Sequence, residues 1–185
     1  MKRCKWVNPK NDKYICYHDN EWGAPIGDDA RLYELFILES FQAGLSWECV
    51  LNKREAFRDA FDGFSAEAVS NYGEDKVKEL LANRGIIRCK RKILAAIKNS
   101  EVFLSIQREF GSFKRYLDTF TGGEIIYEPY TLRTVSPLSD SISKDLKGRG
   151  ASYVGSTIIY SYLQAVGIIY AHGEECCLFK GKKEE

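Results

Sequence analysis

The segment Leu32-Tyr33-Glu34-Leu35-Phe36-Ile37-Leu38 is apolar on nearly every side when wound as a helix. A helix of that kind is stable only when other elements surround it. On helical spacing Leu32, Leu35, Phe36, Glu39 and Ala43 share one stripe, so Glu39 stands where the pattern asks for an apolar side chain. Burying a carboxylate there is costly unless a cation or a hydrogen-bond donor meets it. Two readings of Glu39 compete. In one it sits at the edge of the stripe, reaching water or capping a loop; in the other it is a buried acid at the floor of an aromatic pocket.

The 185 residues suffice for a full core and predict a single functional unit. A net charge of +1 gives no global field that would mark a nucleic-acid or membrane partner. Charge is uneven locally: residues 84–92 carry Arg84, Arg88, Lys90, Arg91 and Lys92 with no acid, which suits a solvated face or a phosphate-facing loop. Six scattered cysteines do not make a disulfide scaffold. The N-terminal residues lack the apolar stretch of a signal peptide. The longest apolar segment, Val154 to Ala171, is interrupted by Ser156, Thr157, Ser161, Gln164 and Gly167, and reads as a core helix rather than a membrane span. A soluble, cytoplasmic chain is expected.

Periodicity and caps predict an all-α chain with short connections. Residues 1–27 read as irregular. Asp28 or Asp29 caps the helix that carries Glu39, and Gly44 ends it. Ser46 caps a helix from Trp47 to about Phe61. Further helices are expected over 66–71, Glu74 to Asn83, Cys89 to about Arg108 and Ser112 to Phe120. Residues 121–137, with Pro129 and Pro137, read as extended loop, Ile125-Ile126-Tyr127 included. Ser139 caps a helix ending at Gly148, Gly150 to Gly155 is a tight turn, and a last helix runs to about Gly167. The tail from Lys180 is expected to fray. The helical core would span 28–170, with a hairpin near 147–157 and a terminal region made of 1–27 and 171–180.

Three constellations carry chemistry. The two histidines, His18 and His172, each have a cysteine partner, Cys4 and Cys176, so that the chain ends could close a four-ligand zinc site. The wide Cys4–His18 gap leaves unrelated histidines and core cysteines as an equal reading, and Cys177 competes with Cys176. The stretch Lys147-Gly148-Arg149-Gly150-Ala151-Ser152-Tyr153-Val154-Gly155 joins two helices through glycines that let a phosphate approach bare backbone N–H groups at a helix N-terminus; an ordinary turn between helices reads as well. Trp6, Tyr14, Tyr17 and Trp22 crowd the N-terminal residues and, with Trp47, suit a flat ligand held between rings better than a core.

The blocks Cys4-x-Trp6, Tyr17-His18-Asp19-Asn20-Glu21-Trp22-Gly23, Leu38-Glu39-x-x-Gln42-Ala43-Gly44-Leu45-Ser46-Trp47, Gly85-Ile86-Ile87-Arg88, Leu146-Lys147 with Gly155, and His172-x3-Cys176 stand in order. Together they closely resemble the DNA-3-methyladenine glycosylase I family, over about residues 2–177. The resemblance implies a helix-hairpin-helix glycosylase fold and excision of 3-methyladenine from alkylated double-stranded DNA; a monomer is expected. It also implies one structural zinc on Cys4, His18, His172 and Cys176. Glu39 matches the base-recognition carboxylate; Tyr14, Tyr17, Trp47, Trp6 and Trp22 match the pocket walls; Gly44-Leu45 matches a wedge entering the duplex; and Gly150, Val154 and Gly155 belong to the DNA-gripping hairpin. The hairpin is richer in glycine and poorer in aromatics than is usual in the family.

The wider superfamily usually places a catalytic aspartate after the hairpin, whereas this chain has no aspartate beyond Gly155. No lysine stands in a context that marks a Schiff-base nucleophile, so hydrolysis without strand cleavage is expected. The alternative of another class is a zinc-stabilised, non-catalytic lesion-binding module, which would keep hairpin and metal ligands but lose the pocket set Glu39, Tyr17 and Trp47.

Overall fold

The computed structural model describes residues 1–128 and 133–180; Pro129 and the tail 181–185 lie outside the described residues. The first predicted helix, α2 (Asp29–Gln42), is the centre of the molecule, with every residue from Leu32 to Phe41 buried. Asp28 caps it, accepting from the N–H groups of Ala30 and Arg31. Asp29 turns outward instead and accepts from the backbone of Phe113 and Lys114, at 2.7 and 3.0 Å, at the start of a later helix.

Around α2 stand α3 (Trp47–Leu51), α7 (Lys90–Phe110), α8 (Phe113–Thr121) and α10 (Ser156–Ala165). The outer elements are α4 (Arg54–Ala60), α5 (Ala66–Ser70), α6 (Glu74–Ala82) and α9 (Pro137–Gly148), the last packed on α10. Aromatic rings fill the space between them: Phe103 stacks on Phe113 at 4.2 Å between centroids, and Phe41 meets Phe57 edge-on at 4.8 Å.

The structure corrects several expectations. Residues 12–20 are not irregular but form α1 (Asp12–Asn20). Asn11 caps it, and Tyr14, Tyr17 and His18 share its buried face at helical spacing, a period hidden by the aromatic crowding. The helix expected from Trp47 to Phe61 breaks at Asn52-Lys53 into α3 and α4, because Asn52 and Lys53 donate back to Glu48 and Val50 and close the first turn. Ser136, not Ser139, is the N-cap of α9; Ser139 is its reciprocal partner in a capping box. Ile126–Tyr127 is a strand, β1, paired in parallel with β2 (Ile169–Tyr170), a partner too remote in sequence to be seen from local pattern.

The terminal segments close on one another and on α10. Gly23 and Ile26 donate to the carbonyls of Gln164 and Val166. Gly167, at φ +74°, ends this run; a Cβ there would lie 2.4 Å from the Ala24 carbonyl carbon, so glycine alone permits the approach.

Candidate active site and metal centre

Helices α1, α2, α3 and α10 meet around a cavity of about 330 Å³. Its walls include Trp6, Tyr14, Tyr17, Trp22 and Trp47, every ring that the sequence placed there, and Glu39 lies at its base. Tyr17 and Trp47 stand 5.3 Å apart and Trp6 and Trp22 4.9 Å apart, between ring centroids. Asn8 and Asn11 both donate to Glu48 Oε1, at 2.8 and 2.7 Å, and so fix the N-terminal segment to α3 and its Trp47.

Glu39 is 3% exposed, which settles the choice between edge and buried acid. Its Oε2 has no hydrogen-bond partner, and burial raises the carboxyl to about 8. Two more polar atoms in this cavity are buried and unmatched: Gln42 Oε1 and Trp47 Nε1. Native structures leave few such groups unsatisfied. Two acceptors and one donor converging between aromatic faces describe a site for a flat ligand with polar edges. Gln42 lies three residues beyond Glu39, one helical turn on, and its place in the cavity was not read from the sequence. Nor was the opposite wall, made of Thr157, Tyr160, Ser161 and Gln164 of α10 with Arg133 and Thr134.

A buried acid of this kind gives the fold a pH signature. Because the folded carboxyl is raised above its ordinary 4.5 to about 8, the folded state holds the extra proton, and stability falls as pH rises through that interval. We expect Glu39→Gln to melt with the wild type near pH 4 and above it beyond pH 8, by roughly 5 kcal/mol at most at about 1.4 kcal/mol per unit. Thermal melts across that range, with no divergence, would refute the assignment.

Beyond the end of α2, Gly44 takes φ +77° and Leu45 is exposed at 42%. The hairpin between α9 and α10 is also formed: Gly150 adopts φ +97°, Ala151 N–H donates to Leu146, and Val154 is buried with its carbonyl accepting from Ser143 Oγ at 2.7 Å. Gly155, unlike Gly150, takes a φ of −63°, which is open to any residue. What glycine leaves there is space: a Cβ would meet nothing within 4 Å, beside a helix N-terminus with no side-chain cap.

The four metal-ligand candidates come together. The ligand atoms of Cys4, His18, His172 and Cys176 all lie within 4.8 Å of one another, and all four residues are buried. The Sγ–N distances of 3.4, 3.5 and 3.6 Å agree with the edge of about 3.5 Å expected for a tetrahedral site with Zn–S near 2.3 and Zn–N near 2.0 Å. Each imidazole is oriented through its other nitrogen, His18 Nδ1 to Asp19 at 2.8 Å and His172 Nε2 to the Trp22 carbonyl at 3.3 Å. Arg3 holds that aspartate in turn and draws its carboxyl down to about 2. Cys177 is exposed and stands outside the cluster. This donor set and spacing fit a metal ion.

A family model described as methyladenine glycosylase matches residues 6–180. The chain belongs to the methyladenine glycosylase family. It is 40% identical to DNA-3-methyladenine glycosylase 1 of Escherichia coli K12, over 99% of this chain and all of that one. Among solved structures, a 3-methyladenine DNA glycosylase I superposes with TM-score 0.92 at 39% identity, covering 97% of this chain and 100% of the other. A Staphylococcus aureus relative, studied for its recognition of 3-methyladenine, gives 0.90 at 32% identity and 96% of each chain. The helical glycosylase fold is therefore shared along essentially the whole described length, and among the described residues no helix is long and apolar enough to cross a membrane.

Proposed function

We propose that this family member is a DNA-3-methyladenine glycosylase that turns the damaged base out of alkylated duplex DNA and hydrolyses its glycosidic bond, leaving an abasic site. The observation that carries the reading is the unmatched, buried carboxylate of Glu39 inside an aromatic cavity. Methylation at N3 makes the adenine in DNA cationic. Between the rings of Tyr17 and Trp47 that charge is attracted by the aromatic faces, and Glu39 and Gln42 accept from the amino edge. A cation beside Glu39 offsets the desolvation that holds its proton, and so favours the ionised form.

The C1′–N9 bond then breaks with its electron pair going to the base, which leaves neutral. The sugar passes through an oxocarbenium-like state, and water adds to C1′ and gives up a proton. Extruding a damaged base requires less unstacking energy than a normal one. Among the described residues the cavity wall contains no lysine, which supports hydrolysis without strand cleavage. Leu45, exposed on its short loop, fills the vacated stack. Val154 and Gly155 offer the backbone N–H groups that lead into α10 to a phosphate, Gly150 shapes the turn with its own N–H donated to Lys147, and the basic residues Arg84, Arg88, Lys90 and Arg91 give a second backbone contact. The four-ligand cluster takes a structural zinc, whose role is to join the two ends of the chain, since four protein ligands leave no position for water.

The direct test is incubation with methylated duplex, followed by chromatography of released bases and alkaline cleavage of the product strand. Free 3-methyladenine, and strands broken only after alkali, are the expected result; no released base would refute the reading. For the hairpin, affinity for undamaged duplex should fall steadily with salt. Gly155→Leu should weaken it for all sequences alike, as filter binding on several duplexes would show. A loss confined to one sequence would mean that the hairpin reads bases.

A further inference from the structure

Two buried polar side chains of α7, Lys92 and Asn99, have no part in the chemistry above. They are seven residues apart, so they share one face of the helix, two turns or about 10 Å apart along its axis. Lys92 is 9% exposed and Asn99 fully buried. Lys92 Nζ donates to the carbonyls of Phe41 and Ala43, at 2.7 and 2.6 Å, which are the unpaired acceptors at the end of α2 just before Gly44-Leu45. The same ammonium lies 5.8 Å from the ring centroid of Tyr153 in the hairpin. Asn99 exchanges two hydrogen bonds with the backbone of Ser152, both at 2.9 Å. The hydrogen bonds of the two side chains thus go to backbone groups at the end of α2, which leads into the Leu45 loop, and in the hairpin.

We infer that Lys92 and Asn99 are positioning residues, a brace on α7 that sets the distance between the Leu45 loop and the hairpin so that both engage one duplex at once. This rests on the glycosylase reading above. A buried lysine among carbonyls is an expensive way to end a helix; a glycine or asparagine cap would serve if termination were the only need. An ammonium reaches two carbonyls at the end of α2 and the Tyr153 ring of the hairpin together.

The test compares Lys92→Met, which keeps the alkyl stem, with Asn99→Ala, Leu45→Ala and the double variant Lys92→Met/Leu45→Ala. Three readouts are taken: single-turnover excision from methylated duplex, fluorescence of 2-aminopurine beside the lesion, and quenching of tryptophan fluorescence by free 3-methyladenine. Lys92→Met should slow excision and reduce the extrusion signal about tenfold to a hundredfold, while free-base binding stays at the wild-type value. The double variant should be no worse than Leu45→Ala, because a misplaced wedge and a missing one fail at the same step. Asn99→Ala should act in the same direction. A wild type that releases no base would sink the glycosylase reading itself. If the wild type is active but Lys92→Met extrudes normally, adds its full effect to that of Leu45→Ala, or loses free-base binding in proportion, the brace is wrong.

Discussion

Glu39→Gln should lower single-turnover excision of 3-methyladenine by about tenfold to a hundredfold, since a buried hydrogen bond to a charged group is worth roughly 1.5–3 kcal/mol. Glu39→Ala should lower it further, because the amino hydrogens of the base would then face a void. Neither change should alter binding to undamaged duplex, which we propose to rest on the hairpin and basic loop. The pH dependence separates charge from shape. In the empty protein burial holds Glu39 protonated up to about pH 8. A cationic base favours the ionised form, so binding at lower pH has to expel the proton, at about 1.4 kcal/mol per unit. Affinity for the lesion should therefore rise with pH and level off near 8, with proton release at pH 7 detectable by titration in buffers of different ionisation enthalpy. Glu39→Gln should show no such rise. Wild-type excision by the glutamine variant would make the carboxylate structural.

The second large effect is expected at the metal centre. Purified protein should carry about one zinc per chain, and Cys4→Ala should lower the melting temperature by about 10 °C or more. Metal sites of this kind supply several kcal/mol of folding free energy, and a domain of this size loses roughly 2–4 °C per kcal/mol. The folded fraction should keep most of its excision rate, because Glu39, Tyr17 and Trp47 are held by α1–α3 and by the Asn8 and Asn11 contacts to Glu48. Elemental analysis that finds no metal, or a stable Cys4→Ala protein with no chemistry, would each overturn the structural role.

The sequence was most legible where local pattern and burial coincide. The apolar stripe gave α2, and the mismatch of Glu39 with that stripe gave the acid at the base of the cavity. Family blocks located the rings and the four candidate ligands, which spacing alone had left open. What escaped was non-local. The β1–β2 pair joins segments some forty residues apart, and no local rule selects that partner. The α10 wall was visible only as polar interruptions: Thr157, Ser161 and Gln164 weighed against a membrane span, although their 4-3 spacing puts them on one helical face. Gln42 was read as part of a motif, yet its unmatched oxygen is a property of the folded cavity and of nothing in the chain order. The Lys92 and Asn99 contacts belong to the same class, since a lysine in a basic run gives no sign that it is buried.

The closure of the chain ends has a consequence for biosynthesis. Trp6 and Trp22 line the cavity, and their rings also lie against the cluster, Trp6 at 5.3 Å from His18 and Trp22 at 4.7 Å from His172. Cys4 and His172 are 168 residues apart, so during translation the first-made wall has its contacts to Glu48 early but meets Gln164, Val166 and His172 only near the end of synthesis. A nascent chain can condense α2 with α3 to α8 early, but it cannot hold a base. The cavity therefore closes only when α10 supplies Thr157, Tyr160, Ser161 and Gln164, and a chain stopped short of that helix would be a helical core with an open pocket.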